Sequence, residues 1–497
     1  MSRTKFSSQH PIAVARGSQQ GRRDIQPPSR AVINLDNYQE NLFRLQDCAP
    51  SAKLMAIVKA DAYGHGINQL ALKAHDIGVQ WLGVAQVPEA LSLRRYLDGM
   101  GVAHDQLHPT PTSALLQGRI YSERPCPAPR SFRPRLFSWI YGPSAVLNEA
   151  LHADIDLSVS TTAQLTQVTQ AADQVGKRAR IHIKIDTGLG RGGSTLKDFV
   201  RLCTLAHSHE RSGLVEVNGL WSHLARADEP TVEGEKATMS QLKLFEEAWQ
   251  IAWDRGLRPQ FRHIAATSGI IWYPEAHFDI VRAGIGSFGL SPNPTVSTSA
   301  DLGLRPIMRF EAEVTQVKVI EEGSCVSYGG TWKAPTDTWV ALIPVGYADG
   351  IPRAASNSAP VWVAGRRGRV VGRICMDQLV VALGPTKDAN GIDLPAGVSA
   401  GDLAVIFGDP ADRLAEQAPV LDLKRSAFSH GLSHAEVLRQ RAAEAEANGR
   451  LRVQDPGFDM LPSVDEWAVA AQTISYEVLS QIGSRVPRVF IQGRKDG

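Results

Sequence analysis

Leu54-Met55-Ala56-Ile57-Val58-Lys59-Ala60-Asp61-Ala62-Tyr63-Gly64-His65-Gly66 is a short apolar run that ends in a lysine and breaks at once into glycine-punctuated polar residues. The apolar part has the length and content of a buried strand, and it carries Lys59 to its tip. At such a tip desolvation lowers an amine pKa, which makes the nucleophilic neutral form accessible for imine formation with an aldehyde. Gly64 and Gly66 let the backbone turn sharply around a ligand. From spacing alone, a solvated lysine after a strand is the simpler account.

Outward from this stretch, seven more apolar runs alternate with helix-like segments: Trp81 to Ala85, Leu136 to Ile140, Ile155 to Val159, Ala179 to Ile185, Val215 to Trp221, Phe261 to Ala265 and Phe278 to Arg282. Eight strands with crossover helices predict an α/β fold that begins with a closed (β/α)8 barrel, whose chemistry belongs at the C-terminal ends of its strands. Polar residues collect at those ends. Lys59 follows the first run, Lys184 to Arg191 closes the fifth, His223 follows the sixth, Thr267 the seventh, and Arg282 with Gly284 closes the eighth. The loops after strands seven and eight commonly bind phosphate, and the Thr267 hydroxyl with the amides of Gly284 and Ile285 suits that task. A tight turn alone would also explain Gly284 and Gly286.

Beyond Gly289 the pattern changes to β-rich segments, Glu311 to Ile320, Trp339 to Pro344, Pro360 to Ala364, Arg369 to Ile374 and Leu403 to Phe407. They predict a second, mainly antiparallel β-domain. The expected organisation is an arm over 1–30, a barrel over 31–290 and a β-domain over 291–497. Two inserts interrupt it. The first, 99–135, is rich in proline and arginine; the second, 409–461, contains an expected surface helix over His434–Ala447.

Composition bounds the partners. A chain of 497 residues with 43% hydrophobic content is too long for one ordinary domain, and a net charge of +2 gives no overall electrostatic reason to expect nucleic acid. Its five cysteines are dispersed and lack paired metal spacing, which argues against a disulfide or zinc framework and fits a cytoplasmic protein. No stretch has the length and apolarity of a membrane helix, and the basic first 30 residues lack a signal-peptide core, so the expectation is a disordered arm and no membrane.

The string around Lys59 resembles the cofactor-lysine motif of alanine racemases, and the resemblance continues in family order from about Arg30 to Val489 outside the two inserts. Its other carriers are Lys184-Ile185-Asp186-Thr187-Gly188-Leu189-Gly190-Arg191, Val326-Ser327-Tyr328-Gly329, Val345-Gly346-Tyr347-Ala348-Asp349-Gly350, Gly372-Arg373-Ile374-Cys375-Met376-Asp377-Gln378 and Thr473-Ile474-Ser475-Tyr476-Glu477. The resemblance implies pyridoxal 5'-phosphate held by Lys59, a barrel and β-domain in a head-to-tail homodimer, and interconversion of L- and D-alanine that supplies D-alanine for peptidoglycan. By position it implies Lys59 as base on one face of the substrate and Tyr328, from the second subunit, on the other. Tyr63, Thr267, Gly284, Ile285 and Tyr476 would meet the phosphate, and Arg282 the pyridine nitrogen. His223 would lie behind the ring, Arg191 and the Met376 amide would meet the substrate carboxylate, and Lys184 matches a lysine that is often carbamylated.

Racemisation requires an acid/base group on each face of a planar carbanion, which two different residues supply. Arginine at the pyridine nitrogen should leave it unprotonated, where aspartate would make the ring a strong electron sink. Ala266-Thr267 departs from the family's usual asparagine-serine, Leu189 replaces a common methionine and Phe288 a frequent tyrosine. Thr267 keeps the hydroxyl, whereas the amide lost at Ala266 opens the alternative of a racemase of broader range or one acting on serine. A non-catalytic cofactor carrier lacks the β-domain and its tyrosine, both of which this chain has.

Overall fold

The computed structural model describes residues 27–102, 132–145, 147–412 and 460–493. A strand that the sequence reading did not assign, β1 (Ser29–Asn34), opens the described chain. The eight apolar runs follow as β2 (Lys53–Ile57), β3 (Trp81–Gln86), β4 (Arg135–Ile140), β5 (Ile155–Val159), β6 (Ala179–Lys184), β7 (Val215–Trp221), β8 (Phe261–His263) and β9 (Ile280–Ala283). All eight lie in one parallel sheet, ordered β8-β7-β6-β5-β4-β3-β2-β9. Its two ends meet: the Asp279 amide donates to the Arg262 carbonyl at 3.1 Å and the Arg282 amide to that of Ala265 at 3.1 Å, which makes the sheet a barrel.

Helices between the strands start and stop where local chemistry dictates. Thr161 caps helix Thr162–Val175 by accepting from the Gln164 amide, and Gly176, in the left-handed region at φ 67°, ends it. Glu89 closes a capping box at the start of helix Val87–Gly99. Inside the barrel, aromatic and imidazole rings fill the space as well as branched aliphatics, with Trp81, Phe137, His182, Trp221 and His263 all buried and in ring contact. Asp156, fully buried, is held between Arg135 and Arg180.

The second domain is a nine-stranded, largely antiparallel sheet. Its strands are β10 (Met308–Glu313), β11 (Gln316–Ile320), β14 (Thr338–Ile343), β15 (Pro360–Val363), β16 (Arg366–Val370), β17 (Leu379–Pro385), β18 (Leu403–Phe407) and β19 (Arg488–Ile491), together with β1. The hairpin strands β12 (Cys325–Val326) and β13 (Trp332–Lys333) stand apart. A boundary at residue 31 therefore misplaces the first strand. β1 pairs with β10 antiparallel and with β19 parallel, burying Ala31 and Ile33, before Asn34 caps helix Leu35–Cys48 and the chain enters the barrel.

The edges of both inserts are tied down. Arg133 bridges Asp98 at 3.0 Å and Asp154 at 2.6 Å, and Arg305 reaches Asp409 at 3.1 Å. The body of each insert, the expected helix over His434–Ala447 and most of the N-terminal arm lie outside the described residues. Among the described residues, no helix is long and apolar enough to cross a membrane.

Candidate active site

Directly after β2 the backbone does something that glycine alone does not explain. Ala60, Asp61, Ala62 and Tyr63 all adopt left-handed helical angles, with φ between 52° and 55°, before Gly64 at φ 80° and Gly66 at φ 97°. Each non-glycine residue in this region costs about 1–2 kcal/mol, so the turn persists because its surroundings hold it. The Ala60 amide donates to Glu89 Oε1 at 2.7 Å, the Ile67 amide to Asp61 Oδ1 at 2.8 Å, and Arg488 Nε to the Gly64 carbonyl at 2.9 Å. Gly64 also packs against the C-terminal helix so closely that a Cβ there would stand 2.3 Å from the Leu479 carbonyl oxygen. This turn sets Lys59 at the barrel mouth and swings Tyr63 inward, with the Lys59 Nζ 5.8 Å from the Tyr63 ring centroid.

Lys59 opens onto a cavity of about 950 Å³, whose lining includes Tyr63, Lys184, Arg191, His223, Arg282 and Gly284. These residues come from four strand ends, those of β2, β6, β7 and β9, so the barrel has gathered positions far apart in sequence. Burial lowers the Lys59 amine pKa, with Arg191 and Arg282 adding to the effect and Glu89 opposing it. Lys184 is pushed down to about 8 by burial, then by Arg191 and Arg282. Its Nζ lies 4.4 Å from the Trp221 ring centroid. Arg191 rides on a loop wound around Asp186, whose Oδ1 accepts from the amides of Gly188, Leu189 and Gly190.

At one end of the cavity the expected phosphate residues converge. A Cβ on Gly284 would lie 3.1 Å from the Tyr63 hydroxyl and 3.8 Å from Thr267 Oγ1, so glycine leaves open a cradle edged by both hydroxyls. The amides of Gly284 and Gly286 donate to Thr267 Oγ1 at 3.3 and 3.2 Å, which frees the threonine hydrogen to donate elsewhere. The Tyr476 ring sits 6.1 Å from that of Tyr63. Burial pushes both phenols up, keeping them neutral donors.

Arg282, also buried, is held from three sides. Nη2 donates to the Ser222 and Ile264 carbonyls at 2.9 Å each and to His223 Nδ1 at 3.0 Å, while Nη1 donates to His263 Nδ1 at 3.1 Å. Nε makes no hydrogen bond among the described residues, and Arg282 lines the cavity. Desolvation lowers Arg282 to about 9, which leaves it a cation at neutral pH. Since guanidinium only donates, His223 Nδ1 is an acceptor and its hydrogen sits on Nε2.

The fold and this gathering of residues have close counterparts. Residues 33–292 match the family model for the alanine racemase N-terminal domain, and 307–427 that for the C-terminal domain. The chain belongs to the alanine racemase family. It is 39% identical to an alanine racemase of Streptomyces coelicolor over 93% of this chain and 96% of that protein. To one of Beutenbergia cavernae it is 37% identical, over 94% and 99%. The crystal structure of alanine racemase from D-cycloserine-producing Streptomyces lavendulae superposes with a TM-score of 0.73 at 35% identity, covering 95% of this chain and 99% of that one.

As a member of the alanine racemase family the chain is a pyridoxal-phosphate-dependent amino-acid racemase. Its residues fit that cofactor: a lysine with a lowered pKa, a hydroxyl-edged cradle that a single Cβ would fill, and a buried arginine that lines the same cavity.

Two expected residues of the racemase site stand elsewhere. Tyr328 is 71% exposed, and Met376 53%; both line a separate depression with Ser327, Cys375, Asp377 and Gln378. Ser327, at φ 62°, and Gly329, at φ 74°, bracket the tyrosine, and the Ser327 hydroxyl donates to the Arg373 carbonyl at 2.6 Å. Within one chain the barrel mouth therefore lacks Tyr328.

Sequence reading missed Glu89, whose carboxylate braces the Lys59 turn, and Gln241, which donates to the His223 carbonyl at 3.2 Å and to Thr187 Oγ1 at 3.0 Å. It also passed over His182 and His263, although a histidine within an apolar barrel strand is a legible oddity.

Proposed function

We propose that this chain interconverts L- and D-alanine as a head-to-tail homodimer in the cytoplasm, providing D-alanine for peptidoglycan, with Lys59 of one subunit and Tyr328 of the other as the two bases. The observation that carries this reading is the division of the candidate residues: a cavity around Lys59 lined by Tyr63, Arg191, His223, Arg282 and Gly284, and an exposed tyrosine presented by the other domain. A tyrosine so exposed fits a role in which a second subunit covers it.

Bound pyridoxal phosphate supplies the electron delocalisation that acidifies the substrate α-carbon. The chain's own residues do the rest. Tyr63, Tyr476, Thr267 and the Ile285 amide would grip the phosphate as neutral donors, joined by the Gly284 amide once it turns from Thr267 Oγ1. Arg282, whose Nε makes no hydrogen bond among the described residues, would donate to the ring nitrogen and so would favour that nitrogen as an unprotonated acceptor. Arg191, exposed at the mouth and without an ion-pair partner among the described residues, binds the substrate carboxylate with the partner's Met376 amide. Lys59 and Tyr328 then take or return the α-proton from opposite faces. His223, with its hydrogen on Nε2, would donate to the Tyr328 oxygen of the second subunit and stabilise it when deprotonated.

Ala266 lines the cavity, where it offers a methyl group in place of an amide, and this favours some tolerance of other small side chains. Production of the D-enantiomer from a panel of L-amino acids tests the assignment. Alanine should turn over fastest, with serine slower; serine or a basic amino acid far ahead of alanine would overturn it.

A further inference from the structure

Arg282 does not end in the two carbonyls and His223. Behind it, inside the barrel, a line of buried groups runs across three strands. Arg282 Nη1 meets His263 Nδ1 at 3.1 Å, His263 Nε2 meets His182 Nδ1 at 2.9 Å, and His182 Nε2 meets Asp156 Oδ2 at 3.3 Å. His263, His182 and Asp156 are each 0% exposed. The ends of this line are chemically one-way. A guanidinium donates only, and an ionised carboxylate accepts only. With both rings neutral, one arrangement of hydrogens satisfies every link: each imidazole carries its hydrogen on Nε2 and presents a bare Nδ1 to its neighbour on the Arg282 side.

The surroundings support both conditions. Burial lowers the pKa of His182, and lowers that of His263 well below its ordinary value, where His182 and Arg282 add to the effect. Although burial alone would raise the Asp156 carboxyl, Arg135, Arg180 and His182 hold it well below the usual carboxylate range.

We propose that His182 and Asp156 are positioning residues for racemisation: they order the hydrogens of this line so that His263 Nδ1 is always an acceptor, which fixes Arg282 with its Nε toward the cavity. Were the order reversed, His263 would present Nδ1–H against Arg282 Nη1–H, and two donors would face each other between buried side chains. Arg282 would tilt out of register with the ring nitrogen. The part of this inference that concerns catalysis rests on the proposed contact between Arg282 and the cofactor; the hydrogen order does not.

The test uses full-length protein labelled with ¹⁵N-histidine, read by long-range ¹H–¹⁵N correlation with and without pyridoxal phosphate, beside steady-state kinetics. Wild type should show His182 and His263 neutral with hydrogen on Nε2 in both states. His182→Leu should scramble the His263 pattern and lower kcat about tenfold at a nearly unchanged KM for alanine. His182→Gln can accept with its carbonyl and donate with its amide, so it should keep the His263 pattern and most of kcat.

Asp156→Asn, which has one acceptor oxygen for three donors, should mix the tautomers. If it does not fold, the two His182 variants carry the comparison alone. A wild-type His263 that is charged or protonated on Nδ1 overturns the proposal, as does equal kcat loss in the leucine and glutamine variants. An ordered pattern that scrambles without any change in kcat keeps the hydrogen line but removes its catalytic role, and with it the proposed placement of Arg282.

Discussion

Tyr328 and Lys59 belong to different cavities of the same chain: the tyrosine is 71% exposed on the β-domain, while the lysine is sunk at the barrel mouth. If each catalytic site joins one of each from two subunits, inactive variants should complement. Lys59→Ala and Tyr328→Phe, dissociated and re-paired at random, should recover about a quarter of wild-type turnover, because half the dimers are mixed and one of two sites in each is intact. Recovery at the background level would exclude a shared site. Tyr328→Phe by itself should nearly abolish racemisation and leave the absorbance of bound cofactor intact.

The cradle makes a binding prediction. In Gly284→Ala the new methyl would stand 3.1 Å from the Tyr63 hydroxyl, in the space assigned to phosphate. The dissociation constant for pyridoxal phosphate should rise at least about tenfold, roughly 1.4 kcal/mol, with the far-UV circular dichroism unchanged. Inorganic phosphate should lose its ability to slow cofactor uptake to a similar degree.

Glu89 joins two adjacent strand ends, accepting from Ala60 with one oxygen and from Gln86 at 3.0 Å with the other. Glu89→Ala leaves both amides without that carboxylate and releases the left-handed turn, and should cost about 1–2 kcal/mol in chemical denaturation. It also removes an anion that supports protonated Lys59. The pH dependence of pyridoxal phosphate uptake should therefore move to lower pH; a shift upward would contradict the assigned electrostatics.

Lys184 carries two linked expectations. Its amine, at about 8 against an ordinary 10.5, is partly neutral near neutrality, so it can attack carbon dioxide, and the resulting carbamate anion would face Arg191. Protein equilibrated with ¹³C-bicarbonate should display a carbamate signal that Lys184→Met lacks. In carbon-dioxide-free buffer the sign of the stability effect is also defined. Between about 8 and 10.5 the unfolded chain binds more protons than the folded one at this residue, so stability should rise with pH across that window, and Lys184→Met should flatten the rise.

Much of the barrel was legible because a parallel sheet covered on both faces requires continuous apolar runs, and each of the eight runs became a strand. Legibility failed where a strand depends on its partners. β1 and β19 are short, and they pair with each other from opposite ends of the described chain. β17 escaped notice beside the Met376 motif, and the two-residue strands β12 and β13 have no periodicity to read. The stretch Glu311 to Ile320, read as one strand, divides at Val314 and Thr315 into β10 and β11.

Lys59, Arg191, Thr267, Arg282 and Gly284 could be nominated from their positions at strand ends, since the barrel rule converts sequence order into spatial convergence. Their relations could not. Residues 60–63 carry no signal for four consecutive left-handed conformations; contacts from Glu89, Arg488 and Leu479 impose them.

By itself the sequence determined the barrel and the β-domain and nominated Lys59, because burial periodicity and a local motif need no distant partner to be read. Tertiary structure alone decided that Tyr328 stands in a different cavity from its own Lys59, and that Arg282 is held through Nη1 and Nη2 while Nε makes no hydrogen bond among the described residues. Both outcomes depend on which side chains meet across strands and domains. Hydrogen-bond polarity is a property of such meetings, and no single stretch of residues contains it.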